Sequence, residues 1–510
     1  MRLARPTLAA LLTCTLALPA LAQQVWHQGI EQTSVDMRGA PAVLASRTID
    51  VPGPGRVLLQ FDGTCIASPG DRILLAASDT PSWGVNDGHV SMEPLDADVN
   101  RVSFSHSRVY AVGAGSHTFY AVGENYVEQD GTGRASVYGS FTVKYYPVAG
   151  GAAIAHGGVA ASSVNLRGAP VTLGQETIAV DEPGTVLVRF DGFCIGSPGD
   201  RIVLAASDDE NWNAGAGYVS GEALDADRNR WPFCHSRGYA VEAGTHTFYA
   251  LGENQFETAG TGIASVYGSL TVEFVPDNGA ATLDHESILE VNADVSTDLF
   301  VIDRITINPE VPGTAVARFE GNCLSDVGDR IILAVSDQQA WDVNDGHTSV
   351  EAYSQDLDRN SFSHTRAYAV GPGAHSFYAM VDQGVEDDGD GLVTVAASLS
   401  VLFFPGADIT AVGDELAGLV GPGLTSYPNP FNPATTIAFE LRADGPVALA
   451  VFDLRGRLVR ALLDDVRAAG RHEHRWDGRD DRGEAVASGV YTVQLVADGV
   501  TSARTVVLAK

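Results

Sequence analysis

The stretch FSHSRVYAVGAGSHTFYAVGEN, from Phe104 to Asn125, decides the architecture of this chain. It recurs as FCHSRGYAVEAGTHTFYALGEN from Phe233 and, more loosely, as FSHTRAYAVGPGAHSFYAMVDQ from Phe362. Successive copies are 129 residues apart, whereas the repeats of solenoid proteins are only ~20 to 50 residues long. The spacing therefore predicts three whole domains in tandem, each with its own hydrophobic core.

The domain boundaries follow from Gly-, Ala-, Pro- and Asn-rich junctions between the copies. They place repeats at 23–148, 149–277 and 278–406, a linker at 407–426 and a different domain at 427–510. Within a repeat, short alternating or β-branched runs such as GRVLLQFDG and DRILLAASD are separated by turn residues, and no clean helical stripe occurs. The sequence predicts an all-β fold of three tandem antiparallel β-sandwich, jelly-roll-like domains.

The late strands of each repeat resemble those of a known domain type. The ending FYAV, followed by a run such as VYGSFTV, is similar to the closing strands of jelly-roll domains of the C1q and tumour-necrosis-factor type. The resemblance implies a jelly-roll sandwich of the same kind.

The first 22 residues read as a secretory signal peptide. Arg2 and Arg5 form a basic head, an apolar run from Leu8 to Leu18 follows, and Ala20-Leu21-Ala22 is a typical exit. No later stretch is apolar for long enough to predict a membrane span. We therefore expect an exported protein without a transmembrane segment after processing.

The net charge of -32 limits the kinds of partner that this protein can bind. Nucleic acid would be repelled by so acidic a protein, and we expect none to bind.

The repeated histidine could be catalytic or structural. In an extended strand, Phe104 and His106 share one face while Ser105 and Ser107 share the other, so the adjacent serine and histidine cannot hydrogen-bond directly. No G-x-S-x-G elbow occurs. We therefore predict that His106, His235 and His364 occupy equivalent strand positions as structural residues, and that the protein is not an enzyme.

Calcium is a possible ligand, although no cofactor is required by the sequence. The strings LDADVNR and LDADRNR resemble the first half of a calcium loop, but the usual sixth-place Gly and twelfth-place Glu are missing. An Asp-to-Arg turn pair explains them as well. A separate loop, EDDGDG, is acidic only in the third repeat. The candidate ligands are Asp96, Asp98, Asn100, Asp225, Asp227, Asn229, Asp387, Asp388 and Asp390.

One tryptophan recurs in a polar loop of each repeat, at Trp83, Trp212 and Trp341. Exposed loop tryptophans stack on sugars or on partner proteins. The alternative is a tryptophan that plugs the end of its own sandwich.

The recurring pair Asp71-Arg72 begins a strand after a Gly turn in each repeat. We expect its arginine to form an ion pair that holds this turn.

Cysteines offer one candidate disulfide. Cys65, Cys194 and Cys323 recur at the same place, and only the second repeat adds another, Cys234. A bridge between Cys194 and Cys234 requires their Cα atoms to lie within ~7 Å. The alternative is that all four are free thiols.

The last domain carries the most specific resemblance. YPNPFNPATTIAFEL from Tyr427, a WDGRDDRGEAVASGVYTVQL segment and the final RTVVLAK occur in order. They resemble the type A C-terminal sorting domain of type IX secretion and the immunoglobulin-like domain of flagellar hook-capping proteins. This implies a small immunoglobulin-like sandwich that outer-membrane secretion machinery recognises. Its signature residues are Pro428, Asn429, Pro430, Phe431, Asn432 and Pro433.

Two functions are consistent with these features. The first is a non-catalytic protein, secreted or displayed on the outer face of a bacterial outer membrane. Its repeats would serve adhesion, matrix or appendage structure, with surface glycans or further copies of the chain as partners. The alternative is a carbohydrate-binding array that uses the loop tryptophans.

Overall fold

The computed structural model describes residues 23–406 and 425–508 apart from short stretches. The undescribed stretches are 85–87, 95–99, 129–130, 149–150, 213–216, 224–228, 258–259, 279–280, 297–298, 328, 340–345, 353–358, 387–390, 428–430, 432, 442–444, 454–456, 469, 484, 488 and 498–499. Throughout the described residues the regular elements are β-strands, and none of them is a helix. The expected all-β fold is confirmed. Residues 1–22, the expected signal peptide, lie outside the description.

The first repeat is an eight-stranded jelly roll. Its two sheets have the strand orders β1-β8-β3-β6 and β2-β7-β4-β5, which is the double Greek-key arrangement of this fold. The strands are β1 (Gln24–Asp36), β2 (Ala42–Val51), β3 (Gly55–Ala67), β4 (Asp71–Ser78), β5 (Val90–Met92), β6 (Arg101–Val112), β7 (Gly115–Glu128) and β8 (Arg134–Pro147).

The second and third repeats have the same topology. Repeat 2 contains β9 (Ala153–Asn165), β10 (Val171–Val180), β11 (Gly184–Ile195), β12 (Asp200–Ser207), β13 (Val219–Glu222), β14 (Arg230–Val241), β15 (Gly244–Glu257) and β16 (Ile263–Pro276). Repeat 3 contains β17 (Thr282–Asp294), β18 (Phe300–Ile307), β19 (Gly313–Ser325), β20 (Asp329–Ser336), β21 (Thr348–Glu351), β22 (Arg359–Val370), β23 (His375–Glu386) and β24 (Leu392–Pro405).

Each repeat fills the space between its sheets with its own apolar core. In repeat 1, Phe61 packs edge-on against Phe104 with ring centroids 4.7 Å apart, and both rings are buried. Gly63 allows β3 and β8 to approach closely: its φ is +150°, and a Cβ there would lie 2.1 Å from the carbonyl oxygen of Tyr138. The equivalent Gly192 and Gly321 are equally confined.

The repeats are not independent beads, because the described residues between 23 and 406 form one compact unit. The strands β6, β14 and β22 contact one another pairwise, so that one strand from each repeat surrounds a common axis. The cyclic contacts β14·β5, β13·β22 and β21·β6 join repeat 1 to 2, 2 to 3 and 3 back to 1. We call this arrangement the pseudo-trimer and the three junctions its seams.

The described residues between 425 and 508 form a second compact unit. It consists of a three-stranded sheet, β25-β26-β29, and a four-stranded sheet, β28-β27-β30-β31. Trp476 is fully buried in its core, and its indole N–H donates to the carbonyl of Arg479 at 3.0 Å. The strands are β25 (Thr425–Tyr427), β26 (Thr435–Leu441), β27 (Gly445–Asp453), β28 (Leu458–Arg467), β29 (Gly470–Trp476), β30 (Gly489–Ala497) and β31 (Val500–Leu508).

Candidate functional site

The three repeated histidines support the sheets. The Nδ1 atoms of His106, His235 and His364 accept hydrogen bonds from the backbone N–H groups of Ala77, Ala206 and Val335, at 2.9 to 3.0 Å. The equivalent strand positions are confirmed. Because Nδ1 accepts a hydrogen bond, it carries no hydrogen, and each ring is neutral with its hydrogen on Nε2. Burial holds the pKa of each histidine below its usual value.

The serines beside these histidines face the pseudo-trimer axis. Ser107 donates to Asp191 of repeat 2 at 2.6 Å, and Ser105 donates to the same carboxylate at 3.3 Å. The predicted separation of serine and histidine onto opposite faces is therefore correct. The serine face, however, lies in an interface between repeats.

Charged side chains fill the axis together with these serines. None of them exceeds 3% exposure, and they are Gln60, Asp62, Lys144, Arg189, Asp191, Glu273, Arg318 and Glu320. Ions removed from water are costly unless they are paired and hydrogen-bonded. The repeats therefore have to meet in one arrangement that pairs these groups.

Three contacts between repeats make the pairing specific. Lys144 Nζ lies 3.0 Å from each carboxylate oxygen of Glu273, joining repeats 1 and 2. Arg189 joins repeats 2 and 3 through a 3.0 Å contact with Glu320. Arg318 donates to Gln60 Oε1 at 2.6 Å, which joins repeats 3 and 1. The ring of repeats is closed by polar contacts at every seam.

The pKa values of the axis carboxyls reflect these partners. Burial opposes ionisation of Glu320, but Arg189 and Arg318 outweigh it and lower the pKa to about 2. Burial raises the pKa of Asp62 even though Arg318 and Arg189 oppose the rise. Glu320 is consequently an anion held between two guanidinium groups.

Each seam also brings an arginine of one repeat beside a histidine of the next. The pairs are Arg108 with His156, Arg237 with His285 and Arg366 with His27. Each arginine lies over a tyrosine ring of its own strand, 5.3 to 5.7 Å from the centroid. Burial, to which the adjacent arginine adds, lowers the pKa of His156 and His285 to about 4 and that of His27 to about 3.

The seam between repeats 2 and 3 contains an open cleft, which we call the 2/3 cleft. His235, Ser236 and Arg237 of β14 form one wall, Ser287 to Leu289 of β17 form the other, and Glu320 lies at its floor. The sequence did not point to this site. In the sequence, the positions that differ between otherwise similar repeats were the feature that could have indicated this cleft.

The loop tryptophans are not exposed. Trp83 and Trp212 are 3% and 4% accessible, and their indole N–H groups donate to the carbonyls of Gly88 and Gly217. This burial agrees with the end-plug alternative and argues against stacking on sugars. Trp341 lies outside the described residues.

The calcium hypothesis falls largely on undescribed residues: Asp96, Asp98, Asp225, Asp227, Asp387, Asp388 and Asp390. Asn100 and Asn229 are described, and their backbone carbonyls accept hydrogen bonds from Ala67 and Gly196. No group of three or more metal-ligating side chains occurs among the described residues. Calcium binding stays a prediction.

The aspartate and the arginine of the recurring Asp-Arg pair contact different partners. Arg72 pairs with Glu93 at 2.5 Å, so the expected ion pair is formed. Asp71 instead accepts hydrogen bonds from the Asn125 amide and the Gly133 backbone N–H, at 2.6 and 3.0 Å. Its carboxylate holds the loop before β8.

The candidate disulfide is wrong, because Cys65, Cys194, Cys234 and Cys323 are all free and buried. In the β11–β14 register, Cys194 faces Trp231 whereas Cys234 faces Asp191. These positions are three residues apart, so the two thiols point to opposite faces. Cys194 lies in the repeat core, and Cys234 contacts Glu320 on the axis at 3.0 Å.

Of the sorting signature, Phe431 and Pro433 are described, whereas Pro428, Asn429, Pro430 and Asn432 are not. The Phe431 ring is buried against Trp476, with centroids 5.2 Å apart. This residue therefore belongs to the core of the C-terminal unit.

Among the described residues, no helix is long and apolar enough to cross a membrane.

One protein-family model matches the C-terminal segment. Residues 429–500 match the FlgD Ig-like domain family, in agreement with the expected immunoglobulin-like domain. No curated protein matches the chain.

Three of the solved structures that match the chain are distant from it. PorZ of the type-IX secretion system of Porphyromonas gingivalis is 23% identical over 24% of this chain and 14% of its own, with a TM-score of 0.15. Ruminococcus gnavus β-glucuronidase is 10% identical over 40% of this chain and 35% of its own, with a TM-score of 0.12. Latent PorU from P. gingivalis is 8% identical over 97% of this chain and 87% of its own, with a TM-score of 0.16. This chain thus spans far less than two thirds of PorZ or of the glucuronidase.

Proposed function

We propose that this chain is a non-catalytic protein, secreted or displayed on the bacterial cell surface, whose three jelly rolls form a preassembled binding and structural module. The observation that carries the proposal is the closed pseudo-trimer. Three copies of one domain present equivalent seams at fixed positions, and several weak contacts made together give avidity. Adhesion to a surface or to matrix material is the role that such a module suits.

The absence of catalysis is also part of the proposal. The nitrogen of His106 that faces its neighbouring sheet already accepts a backbone N–H, and the adjacent serines bond to Asp191 across the seam. A serine nucleophile needs a histidine within hydrogen-bonding reach to take its proton. Broad esterase, protease and glycosidase screens test this, and turnover abolished by His106→Gln would contradict it.

We further propose that the C-terminal unit is an export address read by outer-membrane secretion machinery. The FlgD-type match and the expected signal peptide support it. The test fuses residues 427–510 to a periplasmic reporter and measures surface display in the native host. The control fusion carries Trp476→Ala, which removes the centre of the domain core.

Mass spectrometry of the protein recovered from its native cell surface would define both processed ends and any attached lipid. Recovery of the full chain only from the cytoplasm, or equal display of both fusions, would contradict the proposed export role.

A further inference from the structure

We propose that Gln23 becomes the first residue of the exported protein and cyclises to pyroglutamate, an uncharged lactam. Ala20-Leu21-Ala22 is the expected exit of the signal peptide, and cleavage after Ala22 leaves glutamine at the amino terminus. A terminal glutamine holds an amine and an amide carbon at the right spacing to close such a ring. The inference rests on the proposed export and adds a covalent modification site to it.

The ring closure is a condensation within one residue. The neutral α-nitrogen of Gln23 attacks the side-chain carbon Cδ, so the N–Cδ bond forms and the Cδ–Nε2 bond breaks. Nε2 takes up the proton that the α-nitrogen releases and leaves as ammonia, and nothing is oxidised or reduced. An α-amino group has a pKa of ~7.7 to 8.0, so about 10 to 20% of it is neutral at pH 7. Holding both reacting groups in one residue favours the reaction further.

The amide that would leave is not held by the protein. Gln23 Nε2 is buried and has no hydrogen-bond partner among the described residues. Buried donors normally have partners, and an unpaired one destabilises the fold. The loss of ammonia therefore removes an unsatisfied donor and breaks no contact that the described residues make.

Gln23 directly precedes β1, whose first residues pack inside the pseudo-trimer. Val25 is 3% exposed and belongs to a buried apolar cluster that all three repeats supply. Its other buried members are Leu187, Val275, Ala281, Leu283, Val316, Leu402 and Phe404. Residues two positions apart in a strand are about 7 Å from each other, so a free α-ammonium of Gln23 would lie beside this cluster. Because a charge near apolar surface loses hydration, a neutral terminus is the better fit.

The charges beside β1 also disfavour a free terminal ammonium. The second residue of β1 is paired with Lys144 in the β1–β8 register. Lys144 already engages both carboxylate oxygens of Glu273, at 3.0 Å each. Further along β1, burial together with Arg366 and Arg318 lowers the pKa of His27 to about 3. A free ammonium would add one more cation to this region, whereas the lactam adds none.

The lactam would also protect the strand that closes the ring of repeats. β1 carries His27, which lies beside Arg366 of repeat 3 at the seam between repeats 3 and 1. Proteolysis concentrates at chain termini, and an exopeptidase that starts at the amino terminus requires a free α-amine. We therefore expect the modification to keep β1 intact on a protein displayed outside the cell.

The test is N-terminal analysis of the full chain recovered from its native cell surface. Free amines of the intact protein are first labelled by dimethylation, so that ring closure during digestion is not mistaken for native pyroglutamate. The N-terminal peptide is then examined by mass spectrometry. We expect it to begin at residue 23, to carry no label and to be lighter than the glutamine form by about 17 Da, the mass of ammonia. Pyroglutamyl aminopeptidase should remove its first residue.

Gln23→Ala is the test variant and Gln24→Ala its matched control. Neither change alters the expected Ala20-Leu21-Ala22 exit. The amine of residue 24 lies in a peptide bond, so Gln24 cannot cyclise. We expect Gln23→Ala to be labelled completely at its amino terminus, because alanine has no amide carbon, and Gln24→Ala to remain as unlabelled as the parent.

Three outcomes would overturn this inference: a labelled glutamine at residue 23, a first residue other than 23, or a blocked terminus that persists in Gln23→Ala. On a chain that is displayed and has lost its signal peptide, each of these outcomes leaves the proposed export intact. Retention of residues 1–22 would contradict that export as well.

Discussion

Removing the buried ion pair between repeats 1 and 2 gives the sharpest test of the pseudo-trimer. Lys144 and Glu273 occupy the same position of two repeats, and the third repeat has Leu402 there. Their side chains are only 2% and 3% exposed, with the ammonium 3.0 Å from both carboxylate oxygens. We chose leucine as the replacement because repeat 3 already has leucine at this position. The variants are Lys144→Leu, Glu273→Leu and the double variant.

The expected magnitudes follow from leaving one charge unpaired. In Lys144→Leu the buried Glu273 is either ionised without a partner or protonated, and protonating a glutamate at pH 7 costs ~3.5 kcal/mol from its unperturbed pKa. Breaking one partner of a buried pair typically costs ~3 to 5 kcal/mol. Burial already lowers the pKa of Lys144 to about 8, so Glu273→Leu leaves a lysine that neutralises more easily. The double variant should lie within ~1 kcal/mol of the parent, because a similar apolar side chain replaces both ions.

The assay is urea unfolding at pH 7 followed by tryptophan fluorescence, with the coupling energy taken from the double-mutant cycle. The coupling energy is the sum of the two single losses less the loss in the double variant, and we expect it to exceed ~3 kcal/mol. Additive losses in the double variant, or a single variant that costs less than ~1 kcal/mol, would show that the two side chains do not meet across the seam.

Four further predictions follow. The seam histidines are neutral in the fold, where the pKa of His156 is lowered to about 4, whereas the same histidines of the unfolded chain take up protons below ~6.5. The free energy of unfolding should therefore decrease as the pH falls from ~6.5 to 4. In His156→Gln this decrease, followed by thermal melting, should be smaller by up to ~3 kcal/mol. Gly238→Val should destabilise by ~2 kcal/mol or more in urea unfolding, because a Cβ there lies 2.7 Å from the His285 ring. Thiol titration should find Cys65, Cys194, Cys234 and Cys323 unreactive in the folded protein and all four reactive in denaturant without reductant. If only two thiols reacted in denaturant, the disulfide hypothesis would be supported instead. A chain with repeat order 2-3-1 keeps every seam and should remain a stable monomer by light scattering and melting, whereas order 1-3-2 mismatches every seam and should not; equal stability would refute the pairing.

The strands were predictable because period-two patterns dominate each repeat. Phe104 to Asn125 lies across β6 and β7 as expected, and the alternation placed Ser105 and His106 on opposite faces. These features depend on residues close in sequence, which is the range over which pattern analysis works.

The pseudo-trimer could not be predicted in the same way. A polar face such as that of Ser105 and Ser107 looks like an ordinary solvated sandwich face, and its partner Asp191 is 84 residues from Ser107. The tryptophan loops left two alternatives open for a related reason, because a polar loop around Trp83 is consistent both with an exposed side chain and with one that folds back under the loop. Only the tertiary arrangement shows which polar surfaces are covered.

The differences between the repeats explain why one chain carries all three. A symmetric homotrimer brings identical side chains together at its axis, so three arginines or three carboxylates at one position would repel one another. Positions facing each repeat's own core are alike, as with Phe61, Phe190 and Phe319. The axis positions instead differ in charge, as with Lys144 and Glu273. Joining the repeats in one chain allows a cation of one to meet an anion of the next, which fixes their order around the ring.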